Sequence, residues 1–250
     1  MNKLYLRLVT LTFPLASFFS SCECSETTEN RLLIFLDQTD NNIFHSVKDD
    51  VSATIAKLSK KMFACLECQG GYLRIVRVVD NCQNRPILEE SYQPLEQDVN
   101  PADILPTDYQ KFLHSAKNYS VSIAQDSTVA GFRNTCLYEP ICKELTRLVK
   151  RDENAPPGQI TRVVIYSDLL EHTSDTSTDL YKQDSLNSNE FEARLKKRYN
   201  IELPNLAGIE IHIITFTNLK TQDRIRYAGG LWKEMLESHG AKVDGPKPNY

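Results

Sequence analysis

No apolar run in this 250-residue chain approaches the ~18–20 residues that cross a bilayer, which excludes a polytopic membrane protein. No basic stripe stands out either. The 29 lysines and arginines are scattered among 33 acidic residues and the net charge is −4, so no nucleic-acid partner held by phosphate neutralisation is expected. Nine glycines and eleven prolines are too few for a fibrous or largely disordered chain. Enzyme signatures are missing as well: there is no Gly-x-Ser-x-Gly, no Gly-x-x-x-x-Gly-Lys, no Gly-x-Gly-x-x-Gly and no His-Glu-x-x-His. Histidine offers no catalytic cluster, because His45, His114 and His172 are dispersed and His212 alternates with Ile211 and Ile213 on an apolar stretch. What remains is a chain with 41% hydrophobic and 25% charged residues, enough to bury the core of one large domain.

The first 21 residues, MNKLYLRLVTLTFPLASFFSS, have the build of a secretory signal. Lys3 and Arg7 supply the basic start, Leu8 to Phe19 the apolar stretch, and Ser20-Ser21 the small residues before Cys22. A small pair directly before a cysteine resembles the bacterial lipoprotein lipobox, which implies that Cys22 becomes an acylated first residue; Phe19 stands where that motif usually has Leu. An ordinary secretory cut, leaving Cys22 a plain cysteine, is the alternative. Residues 22–30 then form a polar tether without core formers. The expectation is a domain over 31–240 held by lipid at a membrane of the cell envelope, followed by a polar tail over 241–250.

An exported chain permits disulfides. Cys65, Cys68, Cys82, Cys136 and Cys142 are the candidates. Cys65-x-x-Cys68 lacks the second close pair that a zinc site wants, and it closes a helix before Gly70-Gly71 rather than opening one as redox pairs do. Structural disulfides are the favoured reading, with free buried thiols the alternative.

Residues 31–36, RLLIFL, form a continuous apolar run, the mark of a strand buried on both faces. Val47, Val51, Ile55, Leu58 and Met62 stripe a following helix. Strand patterns recur at 72–79, 160–166 and 208–216, and a short turn after Asp80 lets residues 87–95 return antiparallel. Helical stripes fall at Phe112, Ala116, Tyr119 and Ile123, after a capping box at Thr107-Gln110. Others run over 136–150, over 189–199 with Glu192 and Lys196 spaced to pair, and over Ile225, Ala228, Trp232 and Met235, with Thr221 as cap. Alternating strands and helices predict an α/β fold, a Rossmann-like three-layer sandwich with a mostly parallel sheet and one antiparallel edge strand.

Ligands of such sheets bind at the carboxyl ends of the strands, near the point where strand order reverses. The residues there are Asp37-Gln38-Thr39-Asp40-Asn41, Ser167-Asp168, Thr217-Asn218 and, before the 136–150 helix, Asn134-Thr135. The first, second and last of these, by their order and spacing along the chain, resemble the metal-ion-dependent adhesion site of the von Willebrand factor A-type domain over roughly residues 31–240. The resemblance implies Asp37, Thr39 and Asn41 as ligands from the first strand, Thr135 from a later loop and Asp168 after the fourth strand. Asn41 stands in place of the family's second serine and Leu169 in place of its glycine. Hydroxyl and carboxylate oxygens suit a hard cation, Mg²⁺ or else Mn²⁺ or Ca²⁺, and an incomplete protein shell leaves a position for a partner's carboxylate. The resemblance therefore implies a protein-binding module, its contact surface shaped by the loops 80–106 and 169–189.

Two other readings stay open. Asp37, Thr39 and Thr135 could simply cap helices and Asp168 satisfy loop amides, giving a metal-free scaffold of the same fold. A phosphohydrolase of the haloacid-dehalogenase type also has an Asp after its first strand, but needs a second Asp two residues on, where this chain has Thr39.

Overall fold

A computed structural model describes residues 29–38, 41–63, 70–79, 83–92, six residues within 111–119, 135–152, 159–172, most of 177–182, 185–215 and 221–248. The predicted features at Cys22, Thr39, Cys65, Cys68, Cys82, Asn134 and Thr217-Asn218 lie outside these residues, as does the side chain of Asn41.

The central strand, β1 (Glu29–Asp37), carries the apolar run. Leu33 and Phe35 face one core cluster, while Leu32, Ile34 and Leu36 face another on the opposite side. Burial on both faces is what a continuous apolar run requires, and it places this strand inside the sheet. The helix α1 (Asn41–Met62) follows and contributes Val51 and Ile55 to the second cluster. Strand β2 (Gly70–Val79) pairs parallel to β1, and β3 (Gln83–Tyr92) returns antiparallel along the outer edge of β2. Pro86 falls on that edge at a bulge, where its missing N–H breaks no ladder.

On the other side of β1 lies β4 (Thr161–Tyr166), then β5 (Ile209–Thr215), then β6 (Lys242–Pro248), all parallel. The strand order is β3-β2-β1-β4-β5-β6. This is the predicted α/β architecture, mostly parallel with one antiparallel edge strand. The helices α2 (Tyr138–Asp152), α3 (Ser188–Tyr199) and α4 (Gln222–Ser238) pack their apolar stripes, Ile141, Leu145, Phe191, Leu195, Ala228 and Trp232 among them, against the larger cluster. The second face takes α1 and Phe112.

Four sequence expectations change. The segment read as a polar tail is strand β6, so the domain does not end at residue 240; likewise Glu29 and Asn30 belong to β1 rather than to a tether. Its Gly, two prolines and charges carry no strand pattern, and only the template of β5 brings it into the sheet. There Gly245 holds φ 114°, and a Cβ on Gly229 of α4 would come within 2.6 Å of Pro246 Cγ, so helix and strand pack backbone to ring. Thr221 precedes α4 but makes no side-chain cap bond, whereas Asn187 caps α3 by accepting from Glu190 N at 2.9 Å. Cys142 is a free, buried thiol, because its position on the inner stripe of α2 places it in the apolar core. Cys136 does form a disulfide.

Candidate functional site

Chain order runs from β1 out to β2 and then crosses to β4 on the other flank of β1, so strand order reverses between β1 and β4. Leu36 stands opposite Tyr166 in that pair. The next residues on each strand, Asp37 and Ser167, therefore meet at the carboxyl end of the sheet, where such folds hold ligands.

They meet directly. Ser167 Oγ donates to Asp37 Oδ2 at 2.5 Å and accepts from Leu169 N at 2.9 Å. Ser167 N donates to Ile214 O, so the same residue is tied to β5. Asp168 Oδ1 accepts from Leu170 N at 2.9 Å, a two-residue turn closed by its own side chain. Asp37 and Asp168 are only 5% and 7% exposed. Two carboxylates are thus largely taken out of water close to the ends of neighbouring strands. Gln38, completely buried, adds a side-chain amide whose Oε1 and Nε2 both lack a hydrogen-bond partner.

The turn after Asp168 needs an unusual backbone. Leu169 adopts φ 62°, the left-handed region that glycine takes without strain. Leucine is held there from both sides: its side chain is fully buried in the larger cluster, and its carbonyl accepts from Trp232 Nε1 of α4 at 3.1 Å. Leu169, which stands where the resembling motif has glycine, adds a core contact to this turn.

Thr135 reaches this region through a two-hydrogen-bond bridge, Thr135 N to His172 O and His172 N to Thr135 O, each 2.9 Å. It sits at the entrance to α2 and is 9% exposed. The structure thus joins Asp37 to Ser167-Asp168 by a hydrogen bond, and Thr135 to the same loop four residues further on. Thr39 and the Asn41 side chain lie outside the described residues. Among the described residues no group of three or more His, Cys, Asp or Glu forms a metal cluster. Asp37, Asp168 and Thr135 are all oxygen donors, the type that suits a hard cation.

Sequence reasoning missed Glu171. This carboxylate is fully buried and accepts from Leu137 N at 2.8 Å and Tyr138 N at 3.3 Å, the orphan amides at the start of α2, and from Tyr199 OH of α3 at 2.5 Å. Burial pushes its pKa up to about 7, against the pull of those three hydrogen bonds and of Arg198. A glutamate just beyond a buried strand, before a polar loop, gives no periodic signal; only α2 and α3 closing over it define its role. His172 Nδ1 lies 3.3 Å from Asp179 Oδ1, and Lys182 Nζ lies 3.1 Å from Asp179 Oδ2, which fastens the far side of the same loop.

No family model matches the chain, and no curated protein matches it. Solved structures do. Proximal thread matrix protein 1 from the mussel byssus is 8% identical with a TM-score of 0.41, over 87% of this chain and 44% of that one. An aerotolerance-related membrane protein from Bacteroides fragilis is 12% identical with a TM-score of 0.40, over 87% and 92% of the two chains. The manganese-loaded TRAP protein of Plasmodium vivax is 11% identical with a TM-score of 0.41, over 81% and 63%. This chain therefore spans less than half of the mussel protein and under two thirds of the Plasmodium protein.

Proposed function

We propose that the protein is a non-enzymatic binding module that docks a protein partner through a divalent cation at the carboxyl ends of β1 and β4. The observation that carries this reading is the burial of Asp37 at the end of β1 and of Asp168 in the turn after β4, the two strands that flank the reversal of strand order. Asp37, Asp168 and Thr135 would hold the ion, together with Thr39 and Asn41 by resemblance to the von Willebrand factor A-type site. A bound Mg²⁺, or Mn²⁺ or Ca²⁺ in its place, supplies a hard Lewis-acid position for one carboxylate oxygen of the partner. The residues of the chain do the rest. Ser167 orients the Asp37 carboxylate, the Leu169 turn aims Asp168, and the Thr135–His172 bridge holds the α2 entrance beside them.

The same reading places the module in the cell envelope, exported by residues 1–21 and anchored through an acylated Cys22. No described helix is long and apolar enough to cross a membrane. Labelling cells with a fatty-acid analogue tests the anchor: label lost in Cys22→Ala supports it, and label retained there rejects it.

Isothermal titration with Mn²⁺ and with Mg²⁺ tests the metal site. Wild type is expected to bind one ion saturably, and Asp37→Ala to lose that binding with its circular dichroism unchanged. Equal binding by both proteins rejects the site. A second reading, a metal-free scaffold, is favoured by the structural hydrogen bonds that Asp37 and Asp168 already make with Ser167 and Leu170. Absence of any saturable ion binding by wild type selects it. Phosphatase activity that depends on Mg²⁺ would overturn both.

A further inference from the structure

Two consecutive residues of the segment after β4 fasten the approach to α2. His172 exchanges two backbone hydrogen bonds with Thr135, each 2.9 Å. Glu171 Oε2 accepts from Leu137 N at 2.8 Å and from Tyr138 N at 3.3 Å. Residues 135–138 are therefore clamped to 171–172 by four hydrogen bonds.

This helix start is capped from a distance. A helix ordinarily finds its first acceptor in the side chain of its own cap residue, a serine, threonine, asparagine or aspartate. Here Leu137 stands at that place: its carbonyl accepts from Ile141 N at 3.0 Å, and its side chain offers no acceptor. Glu171, 34 positions along the chain, supplies the oxygen instead. The arrangement is costly, because the carboxyl has no exposed surface and burial pushes its pKa up. A short polar side chain at position 137 would cap the helix without that cost. A local cap, however, cannot fix the helix start against another segment, and Glu171 does. Its second oxygen accepts from Tyr199 OH of α3 at 2.5 Å, which keeps the carboxylate from swinging away. The segment around it is held as well: Leu169 O accepts from Trp232 Nε1 at 3.1 Å, and Glu171 O accepts from Leu180 N at 2.8 Å.

The clamp lies between two of the candidate ion ligands. Thr135 stands two residues before Leu137 on one segment, and Asp168 three residues before Glu171 on the other. A small hard cation tolerates little error in the separation of its ligands, so two segments that share one need a fixed register. We propose that Glu171 is a positioning residue of the candidate cation site, registering the start of α2 against the segment after β4 so that Thr135 keeps a fixed place relative to Asp168. The proposal rests on the cation reading above. Such coupling is reciprocal: if the clamp strengthens ion binding, ion binding strengthens the clamp.

The test is isothermal titration with Mn²⁺ of wild type, Glu171→Gln and Glu171→Leu, each checked by circular dichroism. Glutamine keeps a carbonyl oxygen for the two amides, and its NH₂ group donates to the Tyr199 hydroxyl, which accepts as well as donates. Leucine accepts nothing. Glu171→Gln is expected to bind with an affinity close to that of wild type, and Glu171→Leu about tenfold more weakly. A residue that merely supports the fold would lower the urea midpoint of Glu171→Leu and leave its Mn²⁺ affinity unchanged, a result that overturns the proposal. Equal loss in both variants assigns the effect to charge rather than to the hydrogen bonds and overturns it too. Should Glu171→Leu misfold, amide exchange in wild type decides. With Mg²⁺ added, the Leu137 and Tyr138 amides are expected to exchange more slowly, while Leu186 N, which donates to Tyr227 OH at 2.6 Å, keeps its rate. Unchanged exchange at Leu137 and Tyr138 overturns the role. No ion binding by wild type rejects the cation reading and this role together, whereas wild-type binding matched by folded Glu171→Leu rejects the role alone.

Discussion

The Ser167 hydroxyl, with no exposed surface, binds the Asp37 carboxylate at 2.5 Å and so joins β1 to β4 at the point where the sheet reverses its order. It also caps the turn that carries Asp168, through Leu169 N. One small side chain therefore ties the Asp37 carboxylate to the turn that carries Asp168.

Ser167→Ala removes a buried hydrogen bond to a carboxylate and leaves Leu169 N without that acceptor. The expected cost is about 1–3 kcal/mol, read as a lower urea midpoint with an unchanged slope. Apparent Mn²⁺ affinity should fall in parallel, since Asp37 loses its orienting donor. A midpoint within error of wild type would contradict this account of the site.

Leu169→Gly sets two effects against each other. Glycine relieves about 1–2 kcal/mol of left-handed strain at φ 62°. Deleting a fully buried leucine costs at least the 2–5 kcal/mol typical of Leu→Ala. The cavity wins, so the variant is expected to be less stable than wild type in chemical denaturation, although glycine is the residue such a turn ordinarily prefers. Greater stability in Leu169→Gly would show that the strain is larger than the packing.

Glu171 gives a pH dependence with a definite sign. Its folded pKa, about 7, exceeds the ordinary glutamate value of 4.5, so the folded chain binds this proton more tightly than the unfolded chain does. The stability it contributes is complete below pH 4.5, declines as pH rises to about 7, and is level above that. Each pKa unit corresponds to about 1.4 kcal/mol. The groups that bear on it are Arg198 and Tyr199 of α3 and the Cys142 thiol of α2. Glu171→Gln removes the titration, so its urea midpoint should change less between pH 5 and pH 8 than that of wild type. Equal slopes in the two proteins would assign the dependence elsewhere.

Gly229→Ala tests the join between α4 and the last strand. The new methyl meets the Pro246 ring at 2.6 Å, and overpacking of this kind costs about 1–3 kcal/mol. A melting temperature lower by several degrees is expected. If the melting temperature rises, β6 has room to move away from α4.

The elements with strong periodicity were legible. RLLIFL could only be a strand covered on both faces, and the stripes of α2 and α4 fall on the residues that the core buries. Asp37 and Asp168 were legible too, because they end buried strands. Glu171 and β6 were not. A buried acid surrounded by Leu170 and His172, and a strand of Lys, Asp, Gly and Pro, carry no repeating pattern of their own.

The sequence by itself determined that apolar runs become buried strands, that striped segments become covering helices, and that oxygen-bearing side chains fall at strand ends. Hydrophobic periodicity is a local property, and each segment carries it unaided. Only the tertiary structure decided that Ser167 reaches Asp37, that Trp232 holds Leu169 in a glycine conformation, and that Glu171 caps α2 from another segment. Those contacts join residues many positions apart, and they exist only once the sheet has ordered its strands.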